Sequence, residues 1–204
     1  NLTAGPVGGA SITLEYDALN RLVRAGQDQY DYDMTGLRIA ATIDGTLIEY
    51  VTDPTGNPSR LLEEYAADGT LIARYVYGLG LIGREDNDGN FRVYHYDRRG
   101  STVALTNLDG EVTDRFAYDP WGRLTGRTGT TSNPFTYDGF EGVVDDDNGL
   151  YYMRARYYSP DLMRFIQKDP KFFGSLLNPQ SLNRYAFAQN NPILFTDPHG
   201  ELAP

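Results

Sequence analysis

Between Ser11 and Glu85 apolar and polar positions alternate in short runs, as in Leu47-Ile48-Glu49-Tyr50-Val51 and Ala73-Arg74-Tyr75-Val76-Tyr77. A period of two over four to eight residues predicts half-buried strands, because successive side chains leave a strand on opposite faces. The runs are separated by Asp44-Gly45, Asp68-Gly69, Asp88-Gly89 and Asp109-Gly110. Asp-Gly between alternating runs predicts type I′ hairpins, which need positive φ at both central residues. Four such turns in series predict an antiparallel meander. Leu61-Leu62-Glu63-Glu64-Tyr65 is too short for a helix and is flanked by turn residues, so it reads as another strand.

A longer repeat is laid over this alternation. Tyr-Asp followed by a Gly or Asn turn recurs as Tyr16-Asp17…Asn20-Arg21-Leu22, Tyr32-Asp33…Gly36-Leu37-Arg38, Tyr96-Asp97…Gly100-Ser101 and Tyr118-Asp119…Gly122-Arg123-Leu124. A shorter echo is Tyr137-Asp138-Gly139. Each unit is about one hairpin long, and units of this size cannot bury a face alone, so they stack on neighbours. The expected roles are Tyr packing inward, Asp capping the turn, Gly or Asn left-handed, and Arg opening the next strand.

This unit resembles the YD repeat of Rhs proteins, of the C subunits of bacterial Tc toxins and of the teneurins. The resemblance covers about Leu14 to Gly139 and implies part of the wall of a hollow β-shell that encloses a C-terminal toxin or effector. The fold class expected is therefore all-β: residues 1–139 form an antiparallel YD-repeat sheet, closed by a second unit over residues 140–204 with short helical turns.

That second unit is not repetitive. Tyr151-Tyr152-Met153-Arg154-Ala155-Arg156-Tyr157-Tyr158 alternates and predicts one strand, with Arg154 and Arg156 on the same face beside Tyr152 and Tyr158. Ser159-Pro160-Asp161 turns the chain, and Arg164-Phe165-Ile166 begins a short strand that ends at Asp169-Pro170. Lys171 to Gln180 reads as a loop anchored by Phe172-Phe173, and Ser181 to Phe187 as a single helical turn. Asp145-Asp146-Asp147-Asn148-Gly149 invites a calcium reading, but its glycine is one place early and no distal Glu falls in register. A solvated hairpin turn is the expectation there.

The words GLYYMRARYYSP, RFIQKDP, NRYAFAQNNP and TDPHG resemble the Rhs repeat-associated core domain over about Phe140 to Gly200. In Tc-toxin C subunits that domain is an aspartyl autoprotease that cuts just after itself. The resemblance places the functional arginine at Arg156, the first aspartate at Asp169 and the closing aspartate at Asp197. Two close carboxylates share a proton, so one can activate water while the other donates to the scissile bond. An arginine beside them orients the pair or carries an oxyanion. Here Glu201 follows the closing glycine where family members have the apolar residue, and the Asp169–Asp197 loop is longer. The bond expected to be cut is Leu202–Ala203, with His199 as a candidate assistant. Against this stands a plain reading in which Asp-Pro opens turns, as Asp53-Pro54 and Asp119-Pro120 do, and arginine stacks on tyrosine. The rival functions are an inactive scaffold or adhesive module, and carbohydrate binding through exposed Tyr and Trp121.

Composition narrows the partners. A formal net charge of −10 argues against nonspecific binding to nucleic acid or anionic membrane. Of the 18 basic residues only Lys168 and Lys171 are lysines, a bias that suits Arg–Tyr and Arg–carboxylate contacts across strands. With no cysteine, disulfides, thiolate metal sites and a thiol nucleophile are excluded. No apolar run is long enough to span a membrane as a helix, and no cofactor is implied. The chain starts at Asn1 without a leader-like segment, so it reads as a piece of a longer polypeptide. The partners expected from the resemblance are the remaining shell segments and the enclosed effector, in a protein secreted, surface-borne or delivered by a secretion system.

Overall fold

A computed structural model of the chain describes residues 1–171 and 182–201. Thirteen antiparallel strands follow one another in a single sheet whose spatial order is the sequence order. They are β1 (Ala4–Val7), β2 (Ala10–Tyr16), β3 (Leu22–Ala25), β4 (Asp28–Tyr32), β5 (Arg38–Ile43), β6 (Thr46–Asp53) and β7 (Arg60–Ala66), then β8 (Leu71–Tyr77), β9 (Leu81–Asp86), β10 (Phe91–Tyr96), β11 (Thr102–Thr106), β12 (Val112–Tyr118) and β13 (Leu124–Thr128). A second, four-stranded sheet holds β14 (Val144–Asp145), β15 (Tyr151–Met153), β16 (Arg156–Ser159) and β17 (Arg164–Phe165). The expected all-β meander is what forms.

Alternation decides which face is covered. Leu14, Tyr30, Ala41, Ala73, Tyr75, Tyr94 and Phe116 are buried, while their neighbours Glu15, Asp31, Arg74 and Arg115 are exposed. The buried face packs on Val144, Leu150, Tyr152, Tyr157 and Ile166 of the second unit, giving one core shared by both sheets. On the open face Arg74 bridges Glu63 and Glu85 at 3.2 and 3.6 Å across neighbouring strands. Such exposed pairs contribute about 0–1 kcal/mol each.

The turns differ from the expectation in type. Only at Asp44-Gly45 do both residues take positive φ, 49° and 78°, as a type I′ turn requires. At Asp68-Gly69, Asp88-Gly89 and Asp109-Gly110 the glycine alone is left-handed. These turns are longer: the first residue's N–H reaches the carbonyl four on, and a bulge shifts the register beside it, as between Glu64 and Tyr65. The Tyr-Asp units close by the same device. In each, the aspartate's Oδ1 takes the N–H groups two and four residues ahead, as Asp97 does from Arg99 and Ser101.

The repeat tyrosines are half-buried and direct their hydroxyls to backbone. Tyr16, Tyr32, Tyr96 and Tyr118 donate to the carbonyls of Leu2, Leu22, Leu81 and Thr102 at 2.6–2.8 Å. Tyr77 does the same to Leu61 at 2.8 Å, a further copy hidden because Gly78 stands where Asp would. Tyr96→Phe is therefore expected to cost about 1 kcal/mol, since the Leu81 carbonyl loses its donor. Urea unfolding measures it, and an unchanged midpoint would show that water replaces the bond.

The second unit is pinned to the sheet at several points between Asp146 and Ile166. Leu2 N–H donates to the Ile166 carbonyl at 2.9 Å, Tyr32 and Tyr157 share a hydroxyl contact at 3.1 Å, and Asn148 donates to Asp28 and Tyr30 at 2.6 and 2.8 Å. Asp146, expected in a solvated turn, is buried and pairs with Arg38 of β5 at 2.7 Å. Folding this turn onto the sheet carries the carboxylate under it, toward the arginine that neutralises it. Trp121 packs against the second core cluster, and its carbonyl takes the Tyr158 hydroxyl at 2.7 Å. That is a packing role rather than a sugar platform.

Candidate active site

The expected single strand over Tyr151–Tyr158 is instead a hairpin. β15 and β16 pair Tyr151 with Tyr158, Tyr152 with Tyr157 and Met153 with Arg156. Arg154 occupies the turn with φ 55°, an uncommon conformation for a long side chain. Its guanidinium offsets that strain by donating to the carbonyls of Pro198, Glu141 and Ser59 at 2.6, 2.7 and 3.0 Å. Reversal of the chain sends the two arginines apart. Arg154 faces the closing turn from one side, and Arg156, the first residue of β16, enters it from the other.

Arg156 is 1% exposed and is the largest fully buried side chain among the described residues. Its donors are spread over three segments. Nε donates to the Gly200 carbonyl, Nη1 to the Arg184 carbonyl at 3.0 Å, and Nη2 to Asp197 Oδ2 at 3.2 Å. The same Nη2 lies 3.0 Å from Asp169 Oδ2. That oxygen is out of line with the N–H groups around it and accepts no hydrogen bond, although it is buried. The Phe165 ring closes the underside, 3.6 Å from the guanidinium carbon. Arg156, Asp169 and Asp197 are thus brought together in one dry cluster.

Each carboxylate is positioned by its own turn. Asp169 accepts the Lys171 N–H at Oδ1 (2.8 Å), and its backbone N–H donates to the Arg184 carbonyl at 3.0 Å. Arg184 returns a side-chain hydrogen bond to the Asp169 carbonyl, so it fixes the Asp169 backbone from both ends. Asp197 opens a turn in which Gly200 N–H meets its carbonyl at 3.1 Å and Glu201 N–H meets its Oδ1 at 3.0 Å. Gly200 has φ 63°, and a Cβ there would overlap the Met153 carbonyl oxygen, so no other residue fits.

Arg184 and Arg154 adjoin the cluster, through the Asp169 and Pro198 carbonyls, without pattern reading having selected them for it. Arg184 stands in NRYAF, the only signal for it. Of the helical turn expected from Ser181 to Phe187, Leu182 is in 3-10 conformation and Arg184-Tyr185 lie in a turn, while Ser181 is outside the described residues. Ala186 bridges Arg164, and a 3-10 turn lies at Ala188–Asn190. Phe172, Phe173, Leu202 and Ala203 lie outside the described residues. His199 lines a cavity of about 320 Å³ with Arg154, Tyr152 and Glu201, beside the cluster rather than in it.

Burial pushes the Asp197 carboxyl up to about 7, against the pull of Arg156. Asp138, fully buried beneath Arg99, is raised to about 6 by the same cause. A carboxyl that holds its proton more tightly when folded contributes stability on the acid side, lost as pH rises through its folded value. The many carboxylates lowered by turn hydrogen bonds, Asp33 and Asp53 among them, act only below about pH 4. His199, lowered by burial and by Arg154, works in the opposite sense, its contribution being lost as pH falls below 6.5. Asp145 is also raised to about 6 by burial, so three carboxyls act in the first sense, and a tenfold change in proton affinity corresponds to about 1.4 kcal/mol. Thermal unfolding is expected several degrees higher at pH 5.5 than at pH 8, with the difference reduced in Asp138→Asn. A flat or inverted profile would contradict it.

Comparison with known proteins agrees with the fold. The teneurin YD-shell family model matches residues 43–193. The tRNA3(Ser)-specific nuclease WapA of Bacillus spizizenii is 32% identical over 90% of this chain, which spans 8% of that protein. The double-stranded DNA deaminase toxin A of Burkholderia cenocepacia is 34% identical over 91% of this chain and 13% of its own length. The toxin protein Tse5 of Pseudomonas aeruginosa is 27% identical over 96% of this chain and 18% of its own length. Among solved structures, TcdB2-TccC3 shares the fold with a TM-score of 0.69 at 18% identity, covering 93% of this chain and 10% of that one. The chain therefore spans only a small part of the proteins it matches. A thirteen-strand meander with Tyr-Asp turns, matched by the family model over most of its length, makes this chain a member of the Rhs/YD-repeat shell family.

Proposed function

We propose that this chain is the closing segment of a YD-repeat shell that encloses a C-terminal toxin or effector, and that it frees that cargo by aspartyl-type autoproteolysis just beyond the core unit. One observation carries the reading: Arg156, buried among aromatics, holds Asp169, Asp197 and the Gly200 carbonyl in one cluster. A carboxyl near pKa 7 beside a second carboxylate is the arrangement in which one group gives a proton and the other takes one. The peptide is part of the chain that builds the site, so it is held without a binding step. Relatives named as nucleases and toxins fit a shell with a releasable cargo. No helix of the described residues is long and apolar enough to cross a membrane. The proposed setting is a secreted or delivered protein whose partners are the remaining shell segments and the cargo.

The second reading, a shell wall whose cluster only ties segments together, is favoured by the ion pairing of Asp169 and Asp197 to one guanidinium. Intact mass of the full polypeptide separates the two. Autoproteolysis predicts a fragment ending shortly after Gly200, absent in Asp169→Asn and in Asp197→Asn. Its rate is expected to fall above about pH 7 as Asp197 loses its proton. A wild-type chain that stays whole for days would leave the structural reading alone.

A further inference from the structure

Asn148-Gly149, at the end of the Asp145–Gly149 turn, is the only Asn-Gly pair in the sequence. Asparagine is a thermolabile residue, and before glycine it is most exposed to attack, because glycine puts no side chain in front of its own nitrogen. In a free chain that nitrogen closes on the asparagine carboxamide. In the folded chain both partners of the reaction are held by the sheet.

Asn148 Nδ2 donates to Asp28 Oδ2 at 2.6 Å and to the Tyr30 hydroxyl at 2.8 Å, and its Oδ1 accepts the Leu150 N–H at 3.1 Å. Three hydrogen bonds to three residues fix the plane of the carboxamide. The backbone beside it is covered as well. A Cβ on Gly8, in the turn between β1 and β2, would stand 2.6 Å from the Asn148 carbonyl oxygen and 3.6 Å from the Gly149 nitrogen. A Cβ on Gly149 would in turn overlap the Gly8 nitrogen. Two left-handed glycines therefore let two backbones abut, and the reactive peptide lies under the first hairpin.

We infer that Asn148 is a deamidation site shielded by docking of the second unit on the sheet, so that a chain whose turn stays undocked is marked irreversibly. The Gly149 nitrogen gives its proton to solvent and bonds to Asn148 Cγ. The Cγ–Nδ2 bond breaks, and Nδ2 leaves as ammonia with a proton from solvent. Water then opens the cyclic imide at either carbonyl. One water is consumed and one ammonia released; the product is aspartate, or isoaspartate with the backbone running through Cβ and Cγ. Neither product fits the seat. Aspartate sets a second carboxylate against Asp28, where like charges repel. Isoaspartate lengthens the backbone where Gly8 leaves no room.

Peptide mapping by mass spectrometry of the 204-residue chain, held at pH 8 in buffer or in urea, tests this. Wild type in buffer is expected to lose the Asn148 amide at least about tenfold more slowly than in urea, because reaction waits for the dock to open. Gly8→Ala drives the first hairpin off the turn and should raise the rate in buffer about tenfold, whereas Tyr96→Phe, which weakens the sheet elsewhere, should leave it within about twofold. Asn148→Asp reproduces the marked state and should unfold at lower urea than wild type; an unchanged midpoint would overturn the irreversible mark. Equal rates in buffer and urea, or Tyr96→Phe accelerating as much as Gly8→Ala, would overturn the shielding. A chain that keeps its amide in urea would overturn the site itself.

Discussion

Arg156→Met is expected to lower the stability of the chain by about 3–5 kcal/mol, the largest effect of any single substitution in the site. The reason is what it leaves behind. Asp169 and Asp197 are 1% and 3% exposed, and without the guanidinium both face each other's charge in a dry cluster. The Gly200 carbonyl also loses its donor, and the Arg184 carbonyl keeps only the Asp169 N–H. Methionine fills the volume above Phe165 but offers none of these bonds. Arg156→Lys should recover only part of the loss, because one ammonium cannot reach carbonyls and carboxylates on three segments in a planar fork. Urea denaturation at pH 8 and pH 5.5 separates charge from packing. The deficit should shrink at the lower pH, where Asp197 is protonated in the variant without cost. A loss below about 1 kcal/mol, equal at both pH values, would mean that the cluster is solvated and that Arg156 does not organise it.

Arg38→Met is expected to cost a similar amount from a quite different place. Arg38 lies 3% exposed on β5, paired with Asp146 at 2.7 Å and surrounded by the rings of Tyr152, Tyr50, Tyr30 and Tyr157 at 4.3–6.0 Å. Four aromatic faces solvate the cation where water does not, each contributing about 0.5–2 kcal/mol. Removing Arg38 alone strands the Asp146 carboxylate under the sheet, the situation that costs about 3–5 kcal/mol. Removing both partners, as Arg38→Met with Asp146→Leu, should restore much of the loss, since a buried pair is often replaceable by apolar residues of like volume. A double-mutant cycle therefore predicts strong coupling. Strict additivity of the two single losses would show that the pair is not what joins sheet and second unit.

The sheet was legible because its signal is local. Period-two alternation and Asp-Gly punctuation fix strand, turn and face within a dozen residues, and the Tyr-Asp units say which turns repeat. Turn type was not legible: Asp-Gly accommodates both the two-residue turn at Asp44 and the longer bulged turn at Asp68. The Tyr151–Tyr158 hairpin escaped because its turn is Arg154-Ala155, neither of them a turn former. Carbonyls of residues 59, 141 and 198 hold that arginine there, so tertiary contacts override local preference. Asp146 escaped for a related reason, since three successive aspartates read as solvent-loving until an arginine 108 positions earlier comes to meet one. That Arg156, Asp169 and Asp197 meet was legible through motif words alone; their separations along the chain carry no geometry.

The two parts of the molecule also differ in when they can form. Strands that pair only with their sequence neighbours close short loops, so the sheet can grow hairpin by hairpin as the chain is made. The second unit has no such route. Its contacts with the sheet join residues far apart in sequence, from Arg38–Asp146 to the Leu2–Ile166 hydrogen bond, and contacts of that separation come last. Arg154 reaches back to Ser59 while its neighbour Arg156 reaches forward to Gly200, so the same hairpin that docks on the finished sheet also completes the cluster. Completion of the sheet therefore comes before completion of the cluster: an unfinished sheet leaves the hairpin that carries Arg156 without its docking surface.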